Sequence, residues 1–313
     1  MHDEVLVVGG GPAGAVVATL LASWGHRVRL VTRVPDTGRS LANSLPPSTR
    51  KLLTQVGILD LVEQVGYPTT GNTVWWGDRE GQVEPFAADG SAIGFQVPRA
   101  ALDPLLVARA AAAGAVVERD ARVRRVTFDD DGARVSCAVG GRVSGYRTGL
   151  VVDASGRSGV IALSHRLRRH TPGGRMQALI GEWEQPGGWR IDHPSHTYIE
   201  TCDTGWAWSI PISATARHLG AMVDGATSAL DRGRDITATY RAQIARTPRL
   251  ETQVRGARLV HAFACDASVY DAVAYGGPRF LLVGDAGSTL NPLSSFGVKK
   301  ALAAMLSVFE AVG

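Results

Sequence analysis

At the start of the chain, the pattern of apolar and polar residues changes from one typical of a β-strand to one typical of an α-helix and then back. The continuous apolar run over 5–8 predicts a buried strand over 4–8 and stops at a glycine-rich turn. Apolar residues at helical spacing then predict a helix over 12–24, and Val28, Leu30 and Val31 predict a second strand over 27–32. This order of strand, turn, helix and strand predicts a βαβ unit with parallel strands.

The pattern also predicts the later elements. A loop rich in Pro, Ser and Asn precedes one helix over 49–65, and short β segments follow over 72–98. Further on we predict a helix over 103–113, a hairpin of 123–128 with 133–139, a strand over 143–152, mostly β structure over 160–275 with a helix near 231–246, a strand over 280–283, and a last helix over about 297–311.

The fold class that follows is α/β. We expect a three-layer, Rossmann-like domain built from 1–70, 99–160 and 278–313. A β-rich domain made of 71–98 and 161–277 interrupts it, and we expect this second domain to face the substrate.

Composition narrows the class of protein. The 313 residues can bury a large core, and the mean hydropathy of +0.02 predicts a soluble globular protein. The net charge of +4 is spread without a basic block, which does not favour nucleic acid. The three cysteines have no metal-ligand spacing, which favours a reduced cytoplasmic location without a metal site. No run approaches the ~18 apolar residues of a membrane span.

The turn after the first strand carries the G-x-G-x-x-G spacing at Gly9, Gly11 and Gly14. The first glycine permits the turn, the second lets the backbone approach a pyrophosphate, and the third lets the helix pack on the strand. A tight turn without a ligand is the alternative. The position inside a βαβ unit favours a dinucleotide site.

Two further strands end in turns of small residues. The sequence Asp153-Ala154-Ser155-Gly156 follows one strand, and Gly284-Asp285-Ala286-Gly287 follows another, ahead of the segment 291–298. Such turns at the carboxyl ends of α/β strands are where ligands bind. Asp285 can accept a hydrogen bond from a ribityl hydroxyl, and the amides that open the last helix favour negative charge on a reduced flavin.

Together these segments resemble the flavoproteins with the p-hydroxybenzoate hydroxylase fold. Within that group they resemble most the branch of the flavin-dependent tryptophan halogenases. Arg99 matches the family arginine that opens a helix beside FAD, and Val123 falls where the family contacts adenine. The run 45–48 is similar to a loop of the halogenase branch, and Gly205 to Pro211 is similar to its W-x-W-x-I-P signature. The resemblance implies FAD bound by Gly9, Gly11, Pro12, Ala13, Gly14, Thr32, Arg33, Ser44, Leu45, Arg99, Val123, Asp153, Ala154, Gly156, Gly284, Asp285, Pro292, Ser295, Phe296, Gly297 and Val298.

Departures from the family matter as much. Thr32 stands where the family usually has an acidic residue for the adenosine ribose, which predicts weaker adenosine binding. Asp153-Ala154 replaces the Asp-Gly turn of the hydroxylases, so direct docking of NAD(P)H and reduced flavin from a separate reductase both stay open as electron sources.

The halogenase lysine has no counterpart either. The matching stretch over 71–76 contains none, and Lys51 lies in the preceding helix. Lys299 is a candidate catalytic residue because it lies in the flavin-side helix, where it could support the reduced flavin or face solvent. For Lys300 we favour the solvent-facing role.

We therefore expect an FAD-dependent oxidoreductase, foremost a monooxygenase that forms a flavin hydroperoxide in a water-poor site and acts on an aromatic or peptide-borne aromatic substrate. The aromatic substrate pocket would include Trp75, Trp206 and Trp208, although core packing explains these tryptophans nearly as well. The alternatives are a halogenase, a flavoprotein that modifies a side chain of a partner protein, as in quinone-cofactor maturation, and a flavin-binding module without turnover. A flavin reductase or a carrier protein is a possible partner.

Overall fold

A computed structural model describes residues 3–33, 41–77, 80–171, 175–203, 205–224 and 235–304 of the protein. Its strands in chain order are β1 (Asp3–Val8), β2 (Val28–Val31), β3 (Ala42–Leu45), β4 (Tyr67–Thr69), β5 (Gly71–Trp75), β6 (Gln82–Pro85), β7 (Gly94–Pro98), β8 (Val116–Glu118), β9 (Ala121–Asp129), β10 (Gly132–Val139), β11 (Arg142–Asp153), β12 (Arg168–His170), β13 (Met176–Glu184), β14 (Thr197–Cys202), β15 (Gly205–Pro211), β16 (Ala216–Asp224), β17 (Arg258–Asp266), β18 (Tyr270–Ala272), β19 (Gly276–Gly277) and β20 (Phe280–Leu282).

Helices cover a smaller part of the chain. They are α1 (Pro12–Ser23), α2 (Arg50–Gln55), α3 (Leu59–Val65), α4 (Arg99–Ala112), α5 (Val160–Ser164), α6 (Ile236–Ile244), α7 (Pro248–Gln253) and α8 (Gly297–Ala303). None of the helices in the described ranges is long and apolar enough to cross a bilayer.

The first sheet has a parallel core in the order β20-β11-β1-β2-β8. Alternate side chains of β1 bury on opposite faces, since Val5 and Val7 pack with α1 and α4 while Leu6 and Val8 pack with the β9–β10 hairpin and α5. This arrangement confirms the predicted three-layer α/β domain. It also brings the carboxyl ends of β1, β2, β8 and β11 to one edge, where such sheets bind ligands.

The second sheet is β-rich, in the order β17-β13-β16-β15-β14-β5-β6. One face packs against α6 and α7 through Trp183, Tyr240 and Leu250. Its other face carries Ile180, Met222 and the tryptophans of β15. The mostly β character predicted for 160–275 is thereby confirmed for the described residues of that range. The proposed division of the chain into two domains stays a prediction.

A small sheet, β3-β7-β4, joins the two larger sheets. Ser44 of β3 donates a hydrogen bond to Gln96 of β7 (2.6 Å), and the Gln96 amide donates to Thr197 of β14 (3.0 Å). Gln96 is only 1% exposed, so this chain of polar contacts crosses the interior. It links β14 of the second sheet to the small sheet.

The predicted helix over 49–65 is wrong as a single element. Leu53, Leu61 and Val62 are buried as the periodicity requires, but α2 ends at Gln55 and α3 begins at Leu59. Gly57, with φ of +71°, lies in the break and adopts a conformation that L side chains rarely take. For the predicted helices over 231–246 and 297–311, the described parts are α6 and α8; residues 231–234 and 305–311 lie outside the described ranges.

Candidate functional site

The glycine turn between β1 and α1 is packed tightly against the turn that follows β11. Gly9 has φ of +108°, and a Cβ on it would overlap the carbonyl oxygen of Ala154. A Cβ on Gly14 would overlap the carbonyl oxygen of Gly9. The first and third glycines therefore do what the spacing predicts. No side chain caps the amides of α1, which begins with Pro12.

Arg99 lies over this turn, at the first position of α4. Its Nε and Nη2 donate to Asp103 at 2.6 and 2.7 Å, and its Nη1 lies 3.4 Å from Asn43 Oδ1. A Cβ on Gly11 would lie 2.7 Å from Arg99 Nη2. The two-pronged contact with Asp103 holds a permanent positive charge beside the glycine turn.

A cleft of about 560 Å³, called here the nucleotide cleft, opens at this edge of the first sheet. The predicted cofactor residues that line it are Gly9, Gly11, Thr32, Arg33, Arg99, Val123, Ala154 and Gly156. They come from five separate parts of the sequence. The cleft fits the diphosphate of a dinucleotide, because glycine removes side chains from its floor and arginines line its wall.

Other lining residues were not predicted, notably Arg119 and Arg122. Both flank the start of β9, directly after β8, the parallel neighbour of β2. The signal that would have revealed them is the register of β8 on β2, since residues after parallel strands share one edge.

Several predicted cofactor residues lie behind the cleft. Pro12, Ala13 and Gly14 are buried in α1. The Asp153 carboxylate has a different role from the predicted one, because it accepts hydrogen bonds from the amides of Ser155 (3.0 Å) and Ile161 (2.7 Å) and is fully buried. Burial raises the pKa of Asp153, while these donors oppose the rise. It shapes the turn that lines the cleft.

A second cavity of about 250 Å³, called here the inter-sheet cavity, lies between the second sheet and the segment after β20. It brings together the predicted residues Ser44, Trp206, Trp208, Asp285, Pro292, Ser295, Gly297 and Val298. Arg157 lines it too, and its neighbours Gly156 and Ser158 line the nucleotide cleft. The two spaces are therefore adjacent.

The remaining predictions for this region fall outside the lining. Leu45 is 2% exposed in the core, Gly284 is buried, and Phe296 is exposed at the start of α8. Trp75 belongs to the opposite face of the second sheet, where its ring stacks on Tyr198 with centroids 5.6 Å apart. We correct its predicted role to core packing.

Trp206 and Trp208 form the aromatic wall of the inter-sheet cavity, with ring centroids 5.2 Å apart. Trp208 lies across Gly220 of β16, where a Cβ would overlap the indole ring. A glycine in the neighbouring strand thus makes room for the second tryptophan of the W-x-W-x-I-P segment.

A cluster of polar and charged side chains closes the inter-sheet cavity on the side of the turn that follows β11. Arg157 Nη2 lies 3.0 Å from Asp266 Oδ2, and Tyr270 donates from its hydroxyl to the carbonyl oxygen of Asp285 at 2.6 Å. The guanidinium of Arg168 lies 3.8 Å from the centre of the Tyr270 ring. Burial raises the pKa of Tyr270 to about 12, so its hydroxyl stays neutral and available as a donor.

All three lysines of the chain lie in the described part, and none lines either cavity. Lys299 lies over the Phe296 ring with its Nζ 3.3 Å from Ser48 Oγ. Lys300 donates to the carbonyl and hydroxyl oxygens of Ser288, and burial lowers its pKa. A solvent-facing role for Lys300 is thereby wrong; its amine ties α8 to the segment after β20.

Comparison with known proteins agrees with this geometry. A family model described as FAD binding domain matches residues 2–306. The chain belongs to this FAD-binding family. The match confirms the predicted resemblance and FAD as the cofactor.

Several relatives of this family member are named as halogenases. A tryptophan 2-halogenase from Chondromyces crocatus is 27% identical over 96% of the chain and 59% of its own length. A chlorinase of the 1H-pyrrole-2-carbonyl peptidyl-carrier protein from Pseudomonas fluorescens is 25% identical over 96% of the chain and 74% of its own length. The crystal structure of CmlS, a flavin-dependent halogenase, has a TM-score of 0.88 at 27% identity and covers 98% of the chain and 57% of the solved protein.

The FAD-binding chain therefore spans about three fifths of the length of the tryptophan 2-halogenase. Relatives and solved structures that resemble the chain are named as flavin-dependent enzymes, in agreement with the predicted class. They fit the halogenase alternative better than the monooxygenase prediction.

Proposed function

We propose that this chain binds FAD and provides the substrate site for halogenation of a small electron-rich aromatic molecule. The observation that carries the proposal is the adjacency of the nucleotide cleft and the inter-sheet cavity, which share the turn at 156–158. Relatives named as halogenases support the reaction type. The tryptophan wall supports an aromatic substrate, because flat rings stack on it.

The residues that would hold FAD follow from the site. The Gly9–Gly11 turn and Arg99 would bind the diphosphate, Thr32 and Arg33 the adenosine, and the segment opening α8 the ring system. Bound and reduced, FAD supplies the electrons that activate dioxygen. The protein's own part is to orient the substrate and to exclude water.

The three lysines set this chain apart from the family pattern. None of them lines the nucleotide cleft or the inter-sheet cavity, so we propose that the halogenating species reaches the substrate by confinement between the walls and not on a lysine amine. Confinement orients the halogenating species less strictly than a fixed amine would. We therefore expect halogenation at more than one position of the aromatic ring.

The same observation favours a second candidate, a monooxygenase. An aromatic hydroxylation needs FAD, oxygen and a dry aromatic cavity, and it needs no lysine. Free small molecules and carrier-bound aromatic groups are both compatible with the cavity. We propose a separate reductase as the source of reduced flavin, since the Asp153-Ala154 turn departs from the Asp-Gly turn of the hydroxylases.

The decisive experiment combines the FAD-loaded protein with a flavin reductase, NADH, oxygen, bromide and a panel of phenols and indoles. Halogenation predicts products with the isotope pair of bromine in the mass spectrum, in isomer ratios that differ from those made by added hypobromite. Oxygenated products without bromine would favour the monooxygenase. A protein that takes up no flavin would contradict both.

A further inference from the structure

The face of the second sheet that forms the inter-sheet cavity continues beyond the cavity into a cluster of titratable side chains. Ile180 and Ile210 line the cavity. Glu182 follows Ile180 by two residues on β13, and His218 is the cross-strand partner of Ile210. Side chains two residues apart share a face, and cross-strand partners do as well. Glu182 and His218 therefore extend the cavity wall.

The cluster is compact. Glu182 Oε2 lies 3.5 Å from His218 Nε2 and 3.9 Å from His261 Nδ1. Glu182 and His218 face each other in the register of β13 and β16, and His261 faces Glu182 from β17. His218 is 5% exposed, whereas Glu182 is 26% exposed and so stays accessible to a ligand.

Glu182 lies a short distance from the inter-sheet cavity. Residues two apart on a strand are separated by about 6.5–7 Å, and cross-strand Cβ atoms by about 4.5–5.5 Å. Trp208 pairs with Gly220, and Gly220 pairs with Ile180. If a substrate places one aromatic ring against Trp208, a two-carbon side chain on that ring is long enough to reach Glu182.

The charge selects the ligand class. The contact with His218 holds the pKa of Glu182 below its usual range, so the carboxylate is ionised at neutral pH. An ionised carboxylate at the edge of an apolar wall binds an ammonium group more favourably than a neutral tail and repels a second carboxylate.

We propose that Glu182, His218 and His261 form a subsite for the protonated amine of a substrate whose aromatic ring lies in the inter-sheet cavity. The inference rests on the proposed function for the identity of that cavity. It makes Glu182 a specificity-determining residue and defines the substrate class as aromatic amines with a short linker.

The test is a calorimetric titration of the FAD-loaded full chain with three phenols that differ only in their tails: tyramine, para-ethylphenol and para-hydroxyphenylpropionate. We expect tyramine to bind about tenfold more tightly than para-ethylphenol, and the propionate to bind more weakly than both. Glu182→Gln should reduce the preference for tyramine below about threefold. Glu184→Gln, two residues further on the same strand and paired with Arg258, is the matched control and should keep it.

An equal affinity for tyramine and para-ethylphenol, a preference that survives in Glu182→Gln, or no binding of any of the three would each overturn the subsite. The titration needs no turnover, which separates the two proposals. Amine preference without brominated product would contradict halogenation alone, and bromination without amine preference would contradict the subsite alone.

Discussion

The guanidinium of Arg99 lies so close to Gly11 that a methyl group on Gly11 would be 2.7 Å from Nη2. Gly11 has φ of −76°, a value open to any residue, so the backbone does not require glycine there. The requirement comes from Arg99 and from the space above the turn. Gly11 and Arg99 thus form one unit of the nucleotide cleft, although 88 positions separate 11 from 99 in the sequence.

Gly11→Ala is expected to weaken FAD binding by about tenfold, because the new methyl displaces Arg99 and fills the floor of the cleft. Quenching of flavin fluorescence on titration measures the affinity. Gly145→Ala is the control, since its Cβ would meet no atom within 4 Å. Equal affinity in the two variants would contradict a role for Gly11 in binding.

Thr32→Glu is expected to tighten FAD binding by about fivefold. A carboxylate accepts the ribose hydroxyl with charge assistance, which a threonine hydroxyl lacks, and hydrogen bonds to charged groups are stronger by about 1 kcal/mol. Arg33 and Arg119 line the same cleft and would offset the added negative charge. The same fluorescence titration measures the change, and Thr32→Gln separates the charge from the longer side chain.

Gly220→Ala is expected to change the inter-sheet cavity and leave the nucleotide cleft intact. A methyl on Gly220 would overlap the Trp208 ring, so the indole must move into the cavity. We expect tyramine affinity to fall at least about fivefold, and FAD affinity, which rests mainly on the diphosphate and adenosine contacts in the nucleotide cleft, to fall by less than about twofold. Calorimetry with each ligand measures both; a parallel loss of FAD binding would show that the strand itself is disrupted.

Lys299→Ala is expected to leave bromination within about threefold of the parent rate, because its amine contacts Ser48 and Phe296 outside both cavities. Product formation measures the rate. Abolished bromination in a well-folded Lys299→Ala protein would assign the halogen carrier to Lys299.

Lys300→Ala is expected to lower the melting temperature, because Ser288 loses its donor in a half-buried position. Thermal melts measure this effect.

The contact between Glu182 and His218 predicts a pH-dependent stability. The folded pKa of Glu182 is lowered from 4.5 by the hydrogen bond to His218, so its contribution is complete above that value and is lost as the pH falls through the lowered folded pKa. We expect the difference in unfolding free energy between the parent and Glu182→Gln to be larger at about pH 6 than at about pH 3. Urea unfolding measures it, with Glu84→Gln on the exposed strand β6 as the control.

The nucleotide half of the site could be predicted from the sequence because its signals are local. The spacing of Gly9, Gly11 and Gly14 reflects short-range contacts within one turn, and periodicity places that turn between a strand and a helix. The roles of polar side chains were harder to predict. Asp153 has the same sequence context whether its carboxylate faces a ligand or accepts hydrogen bonds from the amides of its own turn, as it does here.

The substrate side depended on register, which a single sequence does not contain. Trp75 and Trp206 have similar local surroundings, but the parallel pairing of β5 with β14 sends Trp75 to the face that packs on Tyr198. The Glu182–His218 contact joins two strands whose pairing likewise becomes visible only in the folded sheet. A one-residue slip would move each of these side chains to the other face.

The buried hydrogen bonds from Ser44 to Gln96 and from Gln96 to Thr197 have a consequence for how substrate choice can change. Ser44 and Thr197 both line the inter-sheet cavity, and Gln96 couples them across the interior. Two lining residues that are joined through one buried side chain keep a constant separation. New substrates would then be accommodated by exchanging individual wall residues, while the frame around them keeps its dimensions.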